Sequence, residues 1–191
     1  MFAYVMKVDL DVAPSIEDGL WTLAVCKGLL RTTAKIGDVV MGVASKNVLQ
    51  HAYLVRFVAK VTSKITVLEY HKVDPGASRR PDQFYLTGPS GALVHSGVTL
   101  FHNEGTQASL DAQEKDKLGF VLQSTNFTEF HRGYMLQFAP FGLGSVLIQQ
   151  FATWLGGKGR RGFQKFPVRC GTPLDADIQG ILSMTQKETR S

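Results

Sequence analysis

The chain has 191 residues, 44% of them hydrophobic and 19% charged, with a formal net charge of +5. That balance excludes a chain too polar to fold, and two cysteines, Cys26 and Cys170, exclude a disulfide framework or a four-cysteine zinc site. The excess of positive charge is compatible with nucleic acid or another polyanion as partner.

Length and composition predict one globular domain over residues 1–185, followed by a polar tail at 186–191 that frays. "FAYVMKVDL" has the aromatic and β-branched content of an opening strand. After the break at "APS", Ser15 with Asp18 three residues on fits either a capping box or a polar loop. Thr22 to Lys35 reads as a helix or a strand–helix pair joined near Gly28. "KIGD" is a turn, because Gly37 tolerates positive φ and Asp38 can bond the local backbone. "VVMGVAS" and "AYLVRFVAKVT" follow as two buried strands linked by the short polar "KNVLQH". In the second, Val55, Phe57, Ala59 and Val61 alternate with Leu54, Arg56, Val58 and Lys60, which makes the first set the apolar face.

"TVLEYHKV" looks like a short helix and "DPGASRRPDQ" like a turn-rich basic loop. "QFYL" and "ALVHSGVTLFH" supply strand-like material around the turn "TGPSG". "DAQEKDKLG" reads as a helical turn ending at Gly119, and "FVLQSTNFTEF" as a last strand. Val146, Leu147, Phe151, Trp154 and Leu155 form a helical stripe, and "ADIQGILSMTQ" is a terminal helix candidate. This mixed order argues for an α+β fold, with a mostly antiparallel sheet or a small β-barrel flanked by short helices.

The N-terminus gains charge too early for a signal peptide, and few cysteines suit a reducing compartment, so the expected location is cytoplasmic. Residues 133–157 carry no charge, but Pro140, three glutamines and several glycines read as a loop and core helix, so no membrane is expected. The five histidines show no close metal-ligand spacing, and no metal site is expected. There is no P-loop, no nucleophile elbow and no deaminase pattern. "FGLGSV" lacks the third glycine of a dinucleotide fingerprint, so no cofactor is named.

Cationic residues are the candidates that remain. Lys27 and Arg31, four apart, share a face if they lie on one helix, where they can hold a phosphate between them. Cys26 beside Lys27 is better read as packing than as a reactive thiol, since it sits in an apolar run. Arg79 and Arg80 form one basic cluster. "GGKGRRGFQKFPVR" forms another, with Lys158, Arg160 and Arg161 interleaved with Phe163 and Phe166. Such composition suits phosphate contact and base stacking, or simply a solvated loop whose phenylalanines pack.

"YVMKVDLDVAP", "GLWTLAVCKGLLRTTAKIGDVVMG" and "VTSKITVLEYHK" resemble the nucleotide modification associated domain of the second type, a family of phage and bacterial gene neighbourhoods concerned with modified DNA bases. The resemblance is carried by Asp9, Ala13, Pro14, Gly19, Thr22, Leu23, Ala24, Cys26, Lys27, Arg31, Ala34, Gly37, Asp38 and Gly42. Weaker echoes lie at Thr66, Glu69, Tyr70, Arg80, Pro81, Tyr85 and Phe127. Gly28 stands where the family has proline, Ser15-Ile16 replaces an Asn-Pro, and Phe163 occupies the place of a late histidine. The "KIGDVVMGVAS" and "YLVRFVAKVT" segments are also similar to PUA-like barrels that hold a base in a pocket.

The resemblance implies a cytoplasmic protein that binds nucleic acid or a nucleotide in DNA base modification, with chemistry on the base left open. Its alternative is a non-catalytic module: a reader of modified bases, or a phage protein countering a host defence. The binding set is Asp9, Thr22, Lys27, Arg31, Arg80, Lys158, Arg160 and Arg161. A protein partner docking on the uncharged 133–157 segment is the third option, and the residues do not set an oligomeric state.

Overall fold

Aromatic and β-branched residues recur in every strand of a computed structural model that describes residues 1–6, 14–24, 27–44, 55–72, 80–95, 118–130 and 163–184. In chain order these hold strands β1 (Phe2–Met6), β2 (Ser15–Glu17), β3 (Leu20–Leu23), β4 (Val39–Ala44), β5 (Val55–Lys60) and β6 (Ser63–Thr66). Strands β7 (Tyr85–Thr87), β8 (Leu93–His95), β9 (Phe120–Ser124), β10 (Asn126–Glu129) and β11 (Phe163–Lys165) follow. The helices are α1 (Gly28–Thr33), α2 (Val67–Tyr70) and α3 (Pro173–Leu182). The expected α+β class with mostly antiparallel pairing holds. The described strands lie in open sheets and do not close the expected small PUA-like barrel.

The chain divides into two compact units. The first, residues 1–9, 36–61 and 125–191, holds a sheet ordered β10-β5-β4-β1-β11. Its β1–β4 pair is parallel and the others antiparallel. A parallel pair needs a long crossover, which the chain between Met6 and Val39 provides. The turn at Gly37–Asp38 is where the sequence puts it: Gly37 has φ 89°, its N–H donates to Val61 O at 2.8 Å, and Val61 N–H donates to Asp38 O at 2.8 Å.

One face of this sheet packs on α3. Leu174, Ile178 and Ile181 recur at helical spacing and meet Ala3, Met41, Val43, Val55 and Val58. Helix α3 begins at Pro173, three residues before the expected "ADIQG", because Thr172 caps it by accepting from Asp175 N–H at 3.3 Å. On the other face, Tyr4 and Phe57 sit with ring centroids 6.0 Å apart. Gly42 lies opposite both in register, and a Cβ there would come within 2.1 Å of the Phe57 ring.

Three sequence expectations are corrected in this unit. Strict alternation in β5 fails, because the register shifts between Gly42 and Val43 and leaves Arg56 as an extra residue. Val55 therefore joins Val58 in the α3 cluster, and Arg56, 8% exposed, pairs with Glu129 at 3.0 Å and donates to Phe130 O. "FVLQSTNFTEF" is not one strand but two, β9 and β10, which break at Thr125 and join different sheets. The basic run near the C-terminus is not all loop. Phe163–Lys165 adds to the edge of β1, and Phe166 is buried in the core, so it cannot stack on a base.

The second unit, residues 10–35 and 62–124, holds an antiparallel sheet ordered β2-β3-β9-β6 and the hairpin β7–β8. Ser15 and Asp18 do not cap a helix. Ser15 starts β2, and Asp18 and Gly19, with φ 50° and 70°, form the two-residue turn into β3. The strand–helix reading of 22–35 holds, with Gly28 opening α1. The short helix at 67–70 also holds: Thr66 and Glu69 make a reciprocal capping box, with bonds of 2.8 and 3.1 Å.

The link 45–54, the helical turn before Gly119, the stripe 146–155 and the tail 186–191 lie outside the described residues. No helix among the described residues is long and apolar enough to cross a membrane.

Candidate functional site

Hairpin β2–β3 sets Ser15 opposite Thr22, and Thr22 opposite Gln123 of β9. Alternation turns Trp21 and Leu23 to one face of β3 and Thr22 to the other. Thr22, a buried hydroxyl, needs a partner and finds it in Asp82: its Oγ1 donates to Oδ2 at 2.6 Å. Tyr70 closes α2 and sends its phenol to the other oxygen, Oδ1, also at 2.6 Å. Each hydroxyl carries one proton, so both protons go to the carboxylate, and the 3.3 Å between Tyr70 OH and Thr22 Oγ1 completes a triangle.

Asp82 is held by a short turn. Arg80 N–H donates to Gln83 Oε1 at 2.9 Å, Gln83 N–H returns to Arg80 O at 3.0 Å, and Gln83 Nε2 donates to Tyr70 O at 2.9 Å. The Arg80 side chain reaches the β2–β3 hairpin. It donates to Leu20 O at 2.7 Å and Glu17 O at 3.1 Å, with Ser15 Oγ at 3.5 Å. Its Nε is buried and has no hydrogen-bond partner among the described residues. Beside the cluster, His71 Nδ1 lies 2.7 Å from Val67 O, which fixes the proton on Nδ1, and its ring stands edge-on to Tyr70 and Tyr85.

Burial pushes the Asp82 carboxyl above its ordinary value, against the hydrogen bonds from Thr22 and Tyr70 and the charge of Arg80, which pull it down. Burial, and then the charge of Asp82, push the Tyr70 phenol up, so it stays a neutral donor. The cluster is thus an acceptor carboxylate and two hydroxyls, with a buried guanidinium Nε–H beside them. It offers directional hydrogen bonding and a site that takes up a proton readily.

Of the residues singled out from the sequence, Thr22 and Arg80 come together here. Arg31 is elsewhere in the same unit, wholly buried, with Nη1 donating to Phe120 O. Lys27 precedes α1 in left-handed conformation at φ 51°, and Arg31 N–H donates to its carbonyl at 3.0 Å. Lys64 secures the end of that helix, donating to Thr32 O and Ala34 O at 2.7 Å each. Asp9, Cys26, Lys158, Arg160 and Arg161 lie outside the described residues.

Asp82 and Gln83 were missed. "RRPDQ" reads as a polar loop, and nothing in its spacing shows that its carboxylate turns inward to meet Thr22, sixty positions earlier. Tyr70 was legible only as an echo of the family pattern. Among the described residues no group of three His, Cys, Asp or Glu could hold a metal ion.

The family model described as nucleotide modification associated domain 2 matches residues 1–130, which include the whole cluster. No curated protein and no solved structure matches the chain.

Proposed function

Because the chain belongs to the nucleotide modification associated domain 2 family, we propose that it binds a nucleotide or nucleic acid in DNA base modification, in the cytoplasm. The observation that carries this reading is the buried Thr22–Tyr70–Asp82 cluster with Arg80 beside it, inside the matched segment. A carboxylate kept from water at the cost of its solvation suits ligand recognition or proton transfer. Lys27, partly exposed, supplies charge toward a phosphate. Asp9 and Arg31 belong to the same proposed binding set, and Arg31 is held by the bond its Nη1 donates to the Phe120 carbonyl. Lys158, Arg160 and Arg161 add contacts to a polyanion backbone.

Phe163, standing on β11 at the place of the family's late histidine, favours a second reading in which the protein binds without catalysing. This would be a modified-base reader, or a phage protein that binds part of a host defence.

Calorimetric titration with nucleoside monophosphates and with single- and double-stranded oligonucleotides, at stepped salt, tests the proposal. Saturable binding that weakens as salt rises is the expected result. Absence of binding to every one of them at low salt would overturn it. Product formation from a bound nucleotide or oligonucleotide would select the enzyme over the reader.

A further inference from the structure

Resting on that reading, we propose that Arg80 Nε and Asp82 form a paired donor and acceptor that recognises the hydrogen-bonding edge of a base, not its phosphate. The two groups are brought together by one register pair. Arg80 reaches Ser15 Oγ, and Asp82 accepts from Thr22, which lies directly across the hairpin from Ser15.

The hairpin holds the Arg80 guanidinium, because Nη1 donates to Glu17 O and Nη2 to Leu20 O, so neither end nitrogen is wholly open to a phosphate. Those bonds fix the guanidinium plane and leave Nε–H as its buried donor without a partner among the described residues. A buried N–H left without a partner has lost its water and gained nothing for it, so an incoming carbonyl or ring nitrogen gains by meeting it. Asp82 accepts one side-chain bond on each oxygen and a further one from its own backbone N–H, and a carboxylate has about four acceptor sites, so it retains capacity for a base N–H. The same carboxylate repels a phosphate.

The Watson–Crick edge of every base offers an adjacent donor and acceptor, which is what this pair complements. Arg80 is half-buried and Asp82 has no exposure, so the base enters from the Arg80 side and the 80–83 turn shifts to admit it.

The test compares ligands on the unaltered protein and then on Asp82→Asn. Thymidine, deoxyguanosine, deoxyadenosine and deoxycytidine, which lack phosphate, are titrated beside their monophosphates and beside deoxyribose 5-phosphate, which lacks the base. At least one nucleoside is expected to bind within about tenfold of its monophosphate, with deoxyribose 5-phosphate giving no saturation. Asp82→Asn, checked for native circular dichroism, is expected to weaken nucleoside binding about tenfold or more. Monophosphates and deoxyribose 5-phosphate binding alike, with nucleosides inert, would overturn the base-edge assignment and leave nucleotide binding standing. No binding by any of these ligands would overturn the base-edge assignment, and failure of the oligonucleotides as well would overturn the reading it rests on. Should the variant not fold, the nucleoside comparison on the unaltered protein decides alone.

Discussion

Thr22 Oγ1 lies 2.6 Å from Asp82 Oδ2, and this bond ties the β2–β3 hairpin to the turn that carries Arg80 and Gln83. Thr22→Val keeps the shape and removes the donor, which leaves Tyr70 as the side-chain hydroxyl on Asp82. A loss of about 1–3 kcal/mol is expected in urea unfolding, with Thr22→Ser near the parent. An unchanged midpoint for Thr22→Val would show that the bond does not hold the hairpin.

Asp82 also makes stability depend on pH. Its folded carboxyl titrates above the unfolded value, because burial disfavours the charge. The folded state therefore binds the proton more tightly. The contribution is fully present below the unfolded carboxylate range and is lost as pH rises through the raised folded value. Asp82→Asn is expected to flatten that decline, read as denaturant midpoints from acid to neutral pH. Parallel profiles for parent and variant would contradict the assignment.

Gly42 is required by Phe57. A methyl group at position 42 would lie 2.1 Å from the ring, and β4 holds that backbone between β1 and β5. Gly42→Ala is expected to cost about 1–3 kcal/mol by overpacking, and Phe57→Leu in the same chain to restore part of it. Additive effects in the double-mutant cycle would mean the two side chains do not compete for the same space.

Lys27 and Arg31 are expected to separate on substitution. Lys27→Ala leaves stability within about 0.5 kcal/mol and weakens monophosphate binding severalfold. Arg31→Ala removes a buried donor from Phe120 O and lowers the unfolding midpoint. Loss of stability at Lys27 together with none at Arg31 would reverse these roles.

The contrast between those two residues shows what the sequence could carry. Local patterns were legible: the Gly37–Asp38 turn, the strand–helix joint at Gly28, the Thr66–Glu69 cap and the buried strands β4 and β5. Features set by distant partners were not. The extra residue Arg56 in β5 breaks a clean alternation, and only pairing with β4 reveals it. The Asp18–Gly19 turn fits a capping box or a polar loop alike from sequence, because Ser-x-x-Asp serves both uses until the hairpin register is known. The cation at Arg31 advertised a ligand, yet its guanidinium serves a backbone carbonyl 89 positions later. Family resemblance placed Thr22 and Arg80 in one set, but Asp82, which joins them, carried no local signal.

A nucleotide is proposed to bind at the Thr22–Tyr70–Asp82 cluster. Titrating thymidine monophosphate and the other three deoxynucleoside monophosphates into isotope-labelled protein, with amide shifts followed residue by residue, tests it most directly. Saturable shifts are expected for at least one of them, concentrated at Ser15, Thr22, Tyr70, Arg80, Asp82 and Gln83. Saturable shifts confined to other residues, or none with any of the four, would contradict it.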